Sequence, residues 1–194
     1  PMPIIHKIAK KNVTILVWEI TEVLEELQML EKEIYTTTHT TETRKKEFLA
    51  SRLLLKEITP NTLITYNEFG APELDNGNYI SISHSKKIVA IIISEQQVGL
   101  DIEKISDKAL KVSSKFVSEN NLNNLNKEKA TLIWCCKEAI FKLHQKGNVD
   151  FKEDIKLTPF SLQNKGIVNA EFNSEIFRLH YTKLNSHFLV YVCK

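Results

Sequence analysis

The sequence predicts an α+β protein, and three observations carry that prediction. Residues 42–58 and 127–144 hold apolar side chains at helical spacing over long stretches. Residues 79–83, 88–94 and 98–103 are short alternating or wholly apolar runs, as strands are. The last forty residues hold more such runs separated by turn residues, with no helical pattern between them. Strands that gather in hairpins, instead of alternating with helices, argue against a doubly wound parallel sheet.

Taken in order, residues 13–18 read as a strand, with Thr14, Leu16 and Trp18 on alternate positions. Val23, Leu24, Leu27 and Leu30 then have helical spacing, with Thr21 as the expected N-cap. Residues 36–41 form a threonine-rich connection. Phe48, Leu49, Arg52, Leu53 and Lys56 run along the helix of residues 42–58, and Pro60 lies just past its end. Asn67 to Pro72 is a loop by its Gly70 and Pro72, and residues 75–78 make a second turn. The strands at 79–83 and 88–94 are joined through Lys86 and Lys87. A weak helix is expected near residues 108–117, followed by an Asn-rich loop at 120–126 and the strong helix of 127–144. Residues 155–158, 167–172, 176–181 and 188–193 then read as strands.

The chain has 194 residues, which suits one large domain or two small ones. Its net charge of +2 lacks the basic excess of a nucleic-acid binder. Cys135, Cys136 and Cys193 suit neither a metal knuckle nor a disulfide framework, and read as buried thiols in a reducing compartment. No stretch approaches the ~20 apolar residues of a membrane span, and residues 1–11 lack a signal-peptide core. The expectation is a cytoplasmic protein that binds neither nucleic acid nor membrane.

Three segments carry chemistry. In the strand Val98-Gly99-Leu100-Asp101-Ile102-Glu103, alternation puts Val98, Leu100 and Ile102 toward a core and Gly99, Asp101 and Glu103 on the other face. Two carboxylates that point together repel unless a cation or protons intervene, and Mg²⁺ favours carboxylates together with substrate phosphates. The same pair also suits a solvated strand face. In the helix, Trp134, Glu138 and Lys142 share one stripe, with Lys137 and Phe141 beside it. A Glu-to-Lys pair four residues apart is also ordinary helix decoration. In Ile80-Ser81-Ile82-Ser83-His84-Ser85, the isoleucines face a core, the serines face away, and His84 closes the strand beside Lys86 and Lys87. Hydroxyls, imidazole and turn amides all suit phosphate. A Ser-His hydrolase is disfavoured because no Gly-x-Ser-x-Gly elbow occurs.

The order Ser-x-Ser-His-Ser (81–85), Gly-x-Asp-x-Glu (99–103) and Trp-x-x-Lys-Glu-Ala-x-x-Lys (134–142) resembles the 4′-phosphopantetheinyl transferase superfamily, most closely its surfactin-synthetase type. Residues 44–52 and Gly70-Ala71-Pro72 extend the likeness upstream. The resemblance implies two pseudo-symmetric α+β halves, 1–97 on the nucleotide-phosphate side and 98–194 with the metal and catalytic motifs, and an active site between them. It implies transfer of the 4′-phosphopantetheine arm of coenzyme A to a serine of an apo acyl or peptidyl carrier protein. Adenosine 3′,5′-bisphosphate would leave.

The resemblance further implies that Asp101, Glu103 and Glu138 bind Mg²⁺ and that Lys142 holds phosphate and supports the leaving group. His84 and Ser83 would contact phosphate, with Arg44 and Arg52 at the 3′-phosphate. Glu138 or a metal-bound water would be the base. Ala71 stands where the family often has Lys, which removes one phosphate contact. Two halves in one chain make a monomer sufficient. The rival readings are a catalytically inactive coenzyme A- or carrier-binding module of the same fold, and a metal-dependent nuclease, whose usual Glu-x-Lys strand is absent.

Overall fold

Strand β1 (Ile4–Lys10) and β2 (Val13–Glu19) form an antiparallel hairpin, and β2 then pairs β6 (Ile88–Ser94), which pairs β5 (Tyr79–Ser85). The resulting antiparallel sheet runs β1-β2-β6-β5. These coordinates come from a computed structural model, which describes residues 4–31 and 39–194. A second antiparallel sheet runs β7-β11-β10-β9-β8, from β7 (Val98–Lys104), β8 (Lys156–Leu157), β9 (Lys165–Phe172), β10 (Glu175–Leu184) and β11 (His187–Cys193). Helices α1 (Leu24–Leu30) and α2 (Glu42–Ile58) cover the first sheet; α4 (Lys127–His144) covers the second. Short α3 (Asp107–Lys111) packs on α4. A small hairpin, β3 (Ile64–Tyr66) with β4 (Pro72–Leu74), stands beside β5.

The α+β class is borne out, with three cores explaining the layering. Leu49, Ala50, Leu53 and Leu54 of α2 pack on Leu16, Trp18, Ile80 and Ile91 of the first sheet. Ile133, Cys136, Ala139 and Ile140 of α4 pack on Val168, Leu179, Phe188 and Val190 of the second. Between the sheets, Val17, Ala90 and Ile92 meet Val98, Leu100, Ile102 and Leu189. β6 is buried along its whole length because both faces meet apolar layers.

The sheets are also joined edge to edge by serines. Alternate residues of a strand send their amides to opposite sides. One side of β7 pairs with β11. On the other, the amides of Leu100, Ile102 and Lys104 donate to the hydroxyls of Ser81, Ser83 and Ser85 at 3.0, 3.1 and 3.0 Å. Side chains thus satisfy amides that a buried edge would otherwise leave unpaired.

Both long helices begin and end where their periodicity puts them. Thr41 caps α2 by accepting from the Arg44 amide, and Asn126 caps α4 by accepting from Glu128 and Lys129. Thr21 is not the N-cap of α1: that position is Val23, whose amide donates to the Glu26 carboxylate at 3.0 Å, while Glu22 takes the Thr21 amide. The weak helix expected to reach residue 117 ends at Lys111 and continues as a 3₁₀ turn, Ser113–Lys115. Residues 36–38 of the threonine-rich connection lie outside the described residues. Among those described, no helix is long and apolar enough to cross a membrane.

Candidate active site

β7 lies unusually close to α4, and Gly99 is the reason. A Cβ built on Gly99 would stand 1.9 Å from the carbonyl oxygen of Ala139 and 2.8 Å from the amide nitrogen of Leu143. The bare glycine therefore brings the strand face that carries Asp101 and Glu103 against the helix that carries Glu138 and Lys142. Val98, Leu100 and Ile102 point into the inter-sheet core as alternation requires.

Asp101 is 3% exposed, and its Oδ1 accepts from Lys142 Nζ and from the Ser83 hydroxyl, both at 2.7 Å. Its Oδ2 is buried without a partner. Burial raises the pKa of Glu103 to about 7; the charge of Asp101 adds to this, and a hydrogen bond from Trp134 and the charge of Lys142 subtract. Glu138 is raised to about 7 by burial, then by Asp101, with Lys142 opposing. Lys142 is also raised, for a different reason: burial works against its ammonium, yet the neighbouring Asp101 carboxylate holds its pKa above the ordinary lysine range. Lys142 thus forms its ion pair with Asp101, across from the strand, and not the in-helix pair with Glu138.

Of this cluster Lys142 alone lines a neighbouring cavity of about 410 Å³. The α2 stripe Arg44, Glu47, Phe48, Ser51 and Arg52 forms one wall; the β3–β4 hairpin and β5 form others, and the end of α4 closes it with Phe141, Lys142 and Lys146. Arg52 is 7% exposed, lies 3.7 Å over the Phe48 ring, and donates to Ser51 and to Tyr66 at 2.9 and 2.8 Å. Its partners among the described residues are the Phe48 and Tyr66 rings and two hydroxyls, with no carboxylate among them. Arg44 Nη1 lies 2.9 Å from Glu47 and 3.0 and 2.9 Å from the two ring nitrogens of His84. Burial lowers the pKa of His84, aided by Arg44 and Lys142, although Glu47 pulls it up.

The structure therefore gathers Arg44, Arg52, His84 and Lys142 on the cavity wall, and Asp101, Glu103 and Glu138 in the adjoining cluster. Ser83 is placed elsewhere. It is buried, does not line the cavity, and its hydroxyl is committed to Asp101 and the Ile102 amide. Its alternation was read correctly; the strand on its far side could not be. Lys137 is 1% exposed and its ammonium donates to the carbonyls of Phe151 and Ile155, which pins the segment after α4. Trp134 meets Phe116 edge-on and Phe151 at a tilt, each with ring centroids 5.2 Å apart. Glu47 went unread, although its signal is present: it shares a stripe with Arg44 and Ser51 at i, i+3 and i+7 spacing.

Asp101 Oδ2 has no hydrogen-bond partner and two neighbouring carboxyls are pushed toward neutrality, an environment that a divalent cation would relieve. The hard oxygen donors of Asp101, Glu103 and Glu138 suit Mg²⁺. As placed, no three His, Cys, Asp or Glu side chains among the described residues form a ready ligand group, and Lys142 occupies one Asp101 oxygen.

Residues 97–193, half of the chain, match the 4′-phosphopantetheinyl transferase superfamily. The chain belongs to that superfamily. A relative, the 4′-phosphopantetheinyl transferase gsp of Aneurinibacillus migulanus, is 34% identical over 94 residues. That match spans 45% of this chain and 40% of the relative. The superfamily match takes in both the Gly99–Glu103 strand and the Trp134–Lys142 helix, so the carboxylate cluster lies wholly inside it.

Proposed function

We propose that this protein transfers the 4′-phosphopantetheine arm of coenzyme A to a serine of an apo acyl or peptidyl carrier protein, with Mg²⁺, and releases adenosine 3′,5′-bisphosphate. One observation carries the reading. Lys142 belongs at once to the wall of a cation-lined cavity and to an ion pair with a buried carboxylate cluster. A nucleotide in the cavity would bring its pyrophosphate to that junction.

The roles follow from the chemistry of each group. Residues 1–97 supply the nucleotide side: Arg52, Arg44 and His84 bind the terminal phosphate through charge-assisted hydrogen bonds. Residues 98–194 supply the reacting side. Asp101, Glu103 and Glu138 would hold Mg²⁺, which when bound offsets the pyrophosphate charge and polarises the phosphorus. Lys142, moving from Asp101 onto a phosphate oxygen, stabilises the leaving nucleotide. Glu138, on the α4 face beside Lys142, would take the proton of the carrier serine. The carrier hydroxyl attacks phosphorus, the pyrophosphate bond breaks, and the electron pair leaves on the bisphosphate.

The test is intact mass spectrometry of apo carrier proteins after incubation with coenzyme A and Mg²⁺. One phosphopantetheine added to a carrier supports the reading. No gain across acyl and peptidyl carriers at saturating coenzyme A sinks it, and coenzyme A binding without gain leaves the inactive binding module.

A further inference from the structure

Among the described residues, Glu47 is the one carboxylate on the wall of a cavity that also presents Arg44, Arg52, His84, Lys142 and Lys146. Its side chain is 7% exposed, and both of its partners line that cavity: Arg44 at 2.9 Å and His84 Nδ1 at 3.4 Å. Arg44 in turn lies against the imidazole edge of His84. Two groups that both act as cations toward an anion repel each other at this spacing. A carboxylate between them removes that repulsion and fixes both side chains before the anion arrives. The half-exposed Arg44 would otherwise keep its rotamer freedom and lose it on binding.

Resting on the transferase reading, we infer that Glu47 is a positioning residue: it holds Arg44 and His84 together as a clamp for the nucleotide's 3′-phosphate. It thereby makes the site discriminate nucleotides that carry that phosphate from those that lack it. Glu47 touches no reacting atom. Its loss acts on binding and leaves the chemical step alone.

Two readouts test this. Calorimetry compares adenosine 3′,5′-bisphosphate with adenosine 5′-monophosphate, and transfer kinetics compare coenzyme A with dephospho-coenzyme A. The wild-type protein should prefer the bisphosphate by at least about tenfold, and Glu47→Gln should shrink that preference to within about threefold. In transfer, Glu47→Gln should raise KM for coenzyme A by roughly tenfold with kcat within about twofold, and leave dephospho-coenzyme A nearly unaffected. Glu47→Asp should recover part of the preference. A preference unchanged in Glu47→Gln, or equal weakening of both nucleotides, overturns the clamp, as does a wild-type protein that binds neither. If Glu47→Gln does not fold, Arg44→Gln with and without Glu47→Asp decides: non-additive losses support the clamp and additive losses overturn it. Nucleotide preference without carrier modification would sink the transferase reading and keep the clamp; carrier modification with an unchanged preference would sink the clamp alone.

Discussion

The α2 wall and the β7–α4 cluster are opposite in charge, and each is incomplete in the opposite sense. On α2, Arg52 is buried against a ring and two hydroxyls, and Arg44 shares Glu47 with His84. On β7 and α4, three acids share the partial help of one lysine, and Asp101 Oδ2 has no partner. One region presents cations that suit an anionic ligand and the other carboxylates that suit a cation. A metal-bound pyrophosphate nucleotide brings both. The difference teaches that unsatisfied charge, and not the cavity alone, marks the functional ground of this fold.

The sharpest way to break the comparison is Glu138→Gln. Gln keeps the shape and removes the charge, so turnover should fall by roughly a hundredfold or more, the scale of general-base effects. Stability should hold or rise, because a buried carboxyl pushed to about pH 7 carries a penalty when ionised. Steady-state rates over a Mg²⁺ series and a thermal melt read both. Near-normal turnover at low Mg²⁺ would reduce Glu138 to surface decoration.

Gly99→Ala attacks the juxtaposition instead of the charge. The added methyl meets backbone on α4, which cannot step aside as a flexible side chain can. Strand and helix must separate, at a cost of about 2–4 kcal/mol. That should lower Tm by several degrees and weaken metal-dependent turnover together. An unchanged Tm would show that the close approach is not needed.

His84→Ala probes the α2 side. It should weaken coenzyme A binding by about tenfold, the loss of one charge-assisted contact, and leave carrier binding unchanged. An unaltered coenzyme A dissociation constant would remove His84 from the nucleotide site.

The reach of sequence reading divides along the same line. Helices α2 and α4 and strands β6 and β7 were legible because long apolar periodicities are local properties. The hairpin of β3 and β4 was not, since its three-residue strands are too short to show a period. The edge strand β1 also went unread; only Ile4, His6 and Ile8 turn partly inward, and one of them is polar. That Asp101 and Glu103 share a strand face, and Glu138 and Lys142 a helix stripe, was legible from alternation and helical spacing; the roles given to them came from the family resemblance. What stayed hidden was pairing across elements: Lys142 with Asp101, the serine hydroxyls with the β7 amides, and Glu47 with His84. Each joins residues 19 to 41 positions apart in the chain, so no local pattern encodes it.

The smallest expected effect is also the one that separates the two regions most cleanly, the pH dependence of stability in the metal-free protein. Glu103 and Glu138 have folded pKa values near 7 against 4.5 for an ordinary glutamate. The folded state therefore binds more protons than the unfolded state between those values, and stability must fall as pH rises through that window. Above pH 7 the penalty is fully present; below about 4.5 it is absent. Metal-free protein should lose a few degrees of Tm between pH 5 and pH 8 from this source. Mg²⁺ at pH 8 should restore the loss, since a cation favours the ionised carboxyls that burial disfavours. Glu103→Gln and Glu138→Gln should each flatten the pH slope and weaken the response to Mg²⁺. Arg44→Gln, on the other wall, should leave both slope and metal response as they are. A slope unchanged by either glutamine substitution, or a Mg²⁺ response that depends on Arg44 instead, would remove the carboxylate cluster from the metal and with it the opposition between the two regions.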